Sequence, residues 1–250
     1  MEAYRYPEYY DLAFAVADVA REVDFFAAAI RRFSGVAVRR VFEIACGTAP
    51  YLEEWHRRGC HYCGLDLSPP MLDSARAKAA RFGIAADFVA ADMRDFDPGK
   101  IGRAELAYVL LGSIYLGSNR EFLGHLDRVA EVLPAGGLYL LDSVVWFQLF
   151  GGRRRGWTRR HDDVTVRMRY RAEIVDAVAQ TYDECVTLDV DDHGTAHRIE
   201  GRVPTKFFFP QEFLCLVEAS RFEFIGWFNA FDLAAPVTPH GRHMTILRKR

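Results

Sequence analysis

Four short stretches place chemically useful residues at regular intervals: Glu43-Ile-Ala-Cys-Gly-Thr-Ala-Pro-Tyr51, then Asp66, then Ala91-Asp92-Met93, then Leu110-Leu-Gly-Ser-Ile-Tyr115. Small residues after a strand let a backbone approach a ligand closely, and Gly47 is the one glycine in the first stretch. Asp66 follows Gly47 by 19 residues, a separation that suits a carboxylate accepting both hydroxyls of an adenosine ribose. A nicotinamide site would share that acid, but it also wants G-x-G-x-x-G for a pyrophosphate at a helix N-terminus, and this loop has no such set.

Other reactive residue types carry less. The cysteines at 46, 60, 63, 185 and 215 are odd in number and follow no secretion signal, so reduced thiols are expected. Cys60-His-Tyr-Cys63 lacks a second pair at zinc-site distance, so no metal is expected, and Cys46 has no histidine partner at a meaningful spacing. The run Arg153-Arg-Arg-Gly-Trp-Thr-Arg-Arg-His161 interleaves cations with an aromatic, as an RNA-binding strand would, yet a solvated strand face is the plainer reading.

These stretches need elements to position them. Apolar residues at three- and four-residue steps from 10 to 33, Val16 among them, predict one amphipathic helix. Strands are expected at 38–45, 61–67, 86–91, 104–112 and 137–144. The helices between them start at Pro50 and after Ser68, and after Ser118, which forms a capping box with Glu121. That alternation predicts a parallel sheet, with each chemical stretch just after a strand, where open sheets bind ligands. From about 147 the pattern becomes β-prone segments split by polar turns such as Asp191-Asp-His-Gly194, an antiparallel insertion. A helix from Pro210 to about Ser220, a strand at 222–231 and an antiparallel last strand at 243–249 complete the chain.

The bulk numbers bound the class. Of 250 residues half are apolar, enough for a large core, and a net charge of −2 gives no global attraction to nucleic acid or anionic membrane. The N-terminus does not read as a signal peptide and no run of roughly 18 apolar residues occurs, so the expected compartment is the cytoplasm.

In order and spacing, "EIACGTA", "GLDLSPPMLDSARAKA", "VAADMRDF" and "VLLGSIYLGSNREFLGHLDRVAEVLPAGGLYLLD" resemble the class I S-adenosylmethionine-dependent methyltransferases. The subgroup it looks most like comprises small-molecule enzymes with an N-terminal Tyr-Tyr-Asp helix and an insertion after the fifth strand, some of which N-methylate amino sugars or glycine. The resemblance implies an α/β fold with a seven-stranded Rossmann-like sheet, mostly parallel with an antiparallel last strand. It divides the chain into a methyltransferase domain of residues 1–145 and 206–250 and a small antiparallel β insertion of residues 146–205 as a substrate or lid subdomain.

Carried over, the resemblance implies S-adenosylmethionine as cofactor. Ala45 and Gly47 would face its methionyl part, Asp66 the ribose, Asp92 and Met93 the adenine, with Leu67 and Met71 flanking and Leu110 at the fourth strand's end. Tyr9 and Tyr10 are lid candidates. Ser113, Tyr115 and Trp146 are substrate candidates, and Tyr10, Tyr115 and His161 are candidates for catalysis, His161 as a base if the acceptor is an amine. Phe147 and Phe150 read as core rather than substrate cage. Ala49 replaces the family's third glycine; ordinary helix-start angles and slight crowding of the cofactor are expected there. A small-molecule acceptor follows, with no membrane, no nucleic acid and a possible homodimer. The rival readings are a nicotinamide oxidoreductase, an RNA methyltransferase, or a domain that binds the cofactor without turnover.

Overall fold

A computed structural model describes residues 1–15, 18–148, 154–239 and 241–250, with Arg154 as backbone only; Val16, Phe150 and Arg153 lie outside the described residues. A 3-10 turn, Glu2–Arg5, leads into α1 (Pro7–Phe14) and α2 (Val19–Phe33). The single helix expected over 10–33 is therefore two. Ala15 leaves the helix at φ -46° and ψ 120°, and Asp18 caps α2 by accepting from the Arg21 N–H at 2.9 Å.

The alternating part follows as β1 (Arg40–Ile44), α3 (Leu52–Arg57), β2 (His61–Asp66), α4 (Pro69–Phe82), β3 (Ala86–Ala90), the short α5 (Pro98–Ile101), β4 (Leu106–Val109), α6 (Asn119–Val132) and β5 (Leu138–Asp142). Helix α3 starts at Leu52, two residues beyond the expected Pro50. Helix α6 has its cap: the Glu121 N–H donates to Ser118 Oγ at 3.2 Å, and the Glu121 carboxylate reaches back to the Gly117 N–H at 2.6 Å. After the insertion come α7 (Pro210–Glu218), β10 (Phe222–Asn229) and β11 (His243–Lys249).

The seven strands lie in the order β10-β11-β5-β4-β1-β2-β3. All pairs are parallel except those of β11, which is antiparallel to both β5 and β10, as expected for the last strand. Strand order reverses between β1 and β4, so the crevice opens at their carboxyl ends. Alternation divides the core by face. Phe42, Ile44, Val109 and Leu141 pack with Phe122 and Leu126 of α6, while Val41, Leu106, Tyr108 and Leu140 pack with Phe26 of α2 and Trp55 of α3.

The insertion is a separate antiparallel sheet of β6 (Arg154–His161), β7 (Val164–Asp176), β8 (Thr181–Asp192) and β9 (Thr195–Lys206). One face, with Val166, Met168, Val186, Leu188 and Ile199, shares a cluster with Ala3 and Ala13. The N-terminal segment thus packs on the insertion as well as on the larger sheet.

Candidate functional site

The loop after β1 has an alternating backbone. Ala45, Gly47 and Ala49 have φ of +55°, +54° and +54°, left-handed values that favour glycine. Every second residue therefore turns, and the chain curls around a concavity. Ala49 corrects the expectation on two counts: its angles are left-handed, and its methyl is fully buried in the cluster containing Leu52 and Trp55, not facing the crevice.

Asp66, at the end of β2, locks this curl. One carboxylate oxygen accepts from the Gly47 N–H and the other from the Ser68 N–H, both at 2.8 Å. Burial raises its pKa, and those N–H groups oppose the rise. Beyond β3, Asp92 lies below its usual carboxylate range because it holds Arg94, whose Nη2 donates to it at 2.5 Å. Met93 is fixed from behind: its carbonyl accepts from His125 Nδ1 at 2.8 Å, and His125 Nε2 accepts from the Tyr139 hydroxyl at 2.7 Å. Burial lowers that imidazole's pKa to about 4, so it is neutral and its tautomer follows from its two partners.

Around these strand ends lies a cavity of about 790 Å³. It is lined by Tyr10, Ala45, Gly47, Asp66, Leu67, Met71, Asp92, Met93, Leu110, Ser113 and Tyr115, so residues singled out across the sequence meet in one place. Leu67 and Leu111 are 66% and 45% exposed toward it, apolar surface of the kind a flat ring covers. Helix α1 closes one side. Asp11 accepts from Thr48 Oγ1 at 2.5 Å, and Lys78 of α4 donates to the Thr48 carbonyl at 2.8 Å. Tyr10 stacks on Phe14 and meets Tyr4 edge-on. Tyr9, one residue away and turned to another side of the helix, donates to Asp192 at 2.7 Å on the insertion and lines neither cavity.

Two further residues are not brought here. His161 ends β6 with its side chain 80% exposed and lines neither cavity. Trp146 is buried among Tyr182, Phe207 and Ala172, where ring packing fixes it away from the crevice. The residues Tyr4, Asp11, Thr48 and Glu184 were not singled out from the sequence. Tyr4 and Asp11 lie within the aromatic N-terminal run that had drawn attention to Tyr9 and Tyr10, and only helix phase separates those that face inward.

Against known proteins, the profile of a family described as "Methyltransferase domain" matches residues 41–137. Residues 41–137 carry the pattern of that family. The fold of the chain is the one that solved S-adenosylmethionine-dependent methyltransferases share. A curated relative, a ubiquinone biosynthesis O-methyltransferase of Nitrosococcus oceani, is 30% identical over 111 residues, which span 44% of this chain and 43% of that enzyme. A solved S-adenosylmethionine-dependent methyltransferase from Clostridium acetobutylicum shares the fold over 96% of each chain, with a TM-score of 0.79 and 16% identity. CalS10 of Micromonospora echinaspora, an amino pentose methyltransferase solved with bound S-adenosylmethionine, shares it over 92% of each chain, with a TM-score of 0.71 and 21% identity. The matched stretch thus runs from β1 through β4 and α6 to the turn before β5, and the likeness in fold extends through the insertion.

Proposed function

We propose that this chain transfers a methyl group from S-adenosylmethionine to a nucleophilic nitrogen or oxygen of a small molecule. The observation that carries the reading is the convergence of four strand-end segments and α1 on the one cavity. Its donor and acceptor set fits the cofactor. Asp66 is a carboxylate for ribose hydroxyls, Asp92 and Met93 flank a slot for the adenine, and the curled backbone at Ala45 and Gly47 offers polar groups to an amino-acid moiety. No cluster of cations is needed, since the cofactor carries no pyrophosphate.

When bound, S-adenosylmethionine supplies an electrophilic methyl on a sulfonium, taken up by in-line displacement. The chain's own contribution is then positioning and exclusion of water. Tyr10 and Tyr115 present aromatic and hydroxyl groups at the boundary between this cavity and a second chamber, where they would stabilise positive charge passing from a bound sulfonium to the acceptor. Residues 146–205 would form the acceptor-side subdomain, since the second chamber is walled by Trp157, Met168 and Tyr182 of the insertion.

Calorimetry with S-adenosylmethionine and its demethylated product tests the reading. Binding is expected in the wild type, weakened about 10- to 100-fold in Asp66→Ala through loss of hydrogen bonds to a charged group. No heat with either ligand would sink it. A rise in melting temperature with NAD or NADP alone would decide for an oxidoreductase, and binding without turnover over a broad acceptor panel would decide for a non-catalytic domain.

A further inference from the structure

The second chamber, about 360 Å³, shares Tyr4, Tyr10, Ser113 and Tyr115 with the first and is closed on its far side by the insertion. Six charged side chains line it: Glu22, Asp142, Arg242, Arg155, Arg159 and Glu184. Three of them neutralise one another, because Arg242 lies 2.6 Å from Asp142 and 3.1 Å from Glu22. Arg155 and Arg159 are exposed on β6.

Glu184 stands apart. It is only 9% exposed on β8, and among the described residues no lysine, arginine or histidine lies within ion-pairing distance of it. Its partners are hydroxyls. Tyr115 donates to Oε1 at 2.9 Å and in turn exchanges a hydrogen bond with Tyr4 at 2.9 Å, and Tyr170 of β7 is the second donor. Its immediate neighbours on that strand face are Tyr182 and Val186 on β8, Ala172 opposite on β7 and Val203 opposite on β9, none of them charged, while the cation on the same sheet face, Arg155, stands two strands away on β6 opposite Tyr170. Tyr10 of α1 completes the ring of phenols around it.

A buried carboxylate held only by neutral donors lacks a countercharge, and a cation entering the chamber would supply it. An ammonium does so; a hydroxyl does not. We propose that Glu184 receives the nitrogen of the methyl acceptor, which is therefore a primary or secondary amine. This rests on the methyltransferase reading above. The amine arrives as its ammonium, gives one proton to Glu184 and becomes nucleophilic. Its lone pair then forms the N–C bond while the C–S bond breaks and its electron pair stays on sulfur. The product leaves as the methylated ammonium, and the proton on Glu184 returns to solvent. Burial pushes the Glu184 carboxyl up to about 7, which suits it to this exchange near neutral pH.

The test uses ligand-observed NMR with the full chain and S-adenosylhomocysteine, over matched pairs of six-membered-ring probes: glucosamine and glucose, cyclohexylamine and cyclohexanol, benzylamine and benzyl alcohol. At pH 8 each amine is expected to bind about tenfold tighter than its alcohol, and Glu184→Gln, isosteric and still able to accept from Tyr115, is expected to bring the ratio to about one. The variant's melting temperature and its affinity for S-adenosylhomocysteine should match the wild type, which separates recognition from folding. A wild type without amine preference, or a variant that keeps it, overturns the assignment. Absence of S-adenosylhomocysteine binding in the wild type would instead overturn the methyltransferase reading, and the amine-to-alcohol ratio would then be read without that ligand.

Discussion

At the scale of single residues, Ala49 shows what a family pattern alone does not reveal. The three alternate positions that the family fills with glycine have φ near +54° here, and two of them are alanine. A left-handed alanine costs about 1 kcal/mol or more, while burying its methyl returns about 0.8 kcal/mol. Ala49→Gly is therefore expected to shift the unfolding free energy by less than about 1 kcal/mol. Because the methyl points into the core, ligand affinity should stay within about twofold. Urea unfolding and calorimetry check both, and a large loss of affinity would show that the methyl shapes the cavity after all. The sequence placed Ala49 in the right loop. Its angle depends on the hydrogen bonds of its neighbours, above all the Asp66 carboxylate on the Gly47 N–H, and no local propensity encodes that contact.

At the scale of elements, the strands and caps were legible because β-branched runs, Pro70 within the first turn of α4 and the Ser118–Glu121 pair are local signals. The break between α1 and α2 was not, since apolar periodicity continues across it while the two helices serve different neighbours. Helix α1 leans on the insertion and on the β1 loop, and α2 lies on the main sheet. The inward direction of Glu184 was equally hidden, because it depends on the register of β8 against β7 and β9. The attachment of α1 to the loop depends on the Asp11–Thr48 hydrogen bond. Thr48→Val keeps the shape and removes the donor, leaving a half-satisfied carboxylate. Amide exchange over residues 7–14 should quicken by about 5- to 30-fold, the equivalent of about 1–2 kcal/mol, with the β4 and β5 amides unchanged. Exchange in α1 that matches the wild type would show that apolar packing alone holds the helix.

At the scale of the whole molecule, Glu43 links the site to stability. It sits in the core beneath the loop, accepting from Tyr62 at 2.5 Å and Tyr108 at 2.9 Å, and burial pushes its carboxyl up to about 8. Its folded pKa lies above the unfolded one, so the native state holds a proton that the unfolded chain has released between about pH 4.5 and 8. Across that window the Glu43 contribution to stability falls as pH rises, by at most about 1.4 kcal/mol per unit. Glu43→Gln should flatten the curve of urea midpoint against pH within that window, and a difference from wild type that is the same at pH 5 and pH 8 would refute the assignment.

The position of β11 has a consequence for how the protein is made. Residues 138–142 of β5 are buried throughout and pair on one side with β4, but their other side is covered only by residues 244–248. Those partners are synthesised about a hundred residues later, after the whole insertion has left the ribosome. Until then a nascent chain with β1 to β5 in place carries an open, apolar sheet edge, the kind of surface that pairs with other chains. Slow translation through the insertion would prolong that exposure, so expression yield should depend on the rate of synthesis in a stretch remote from the chemistry.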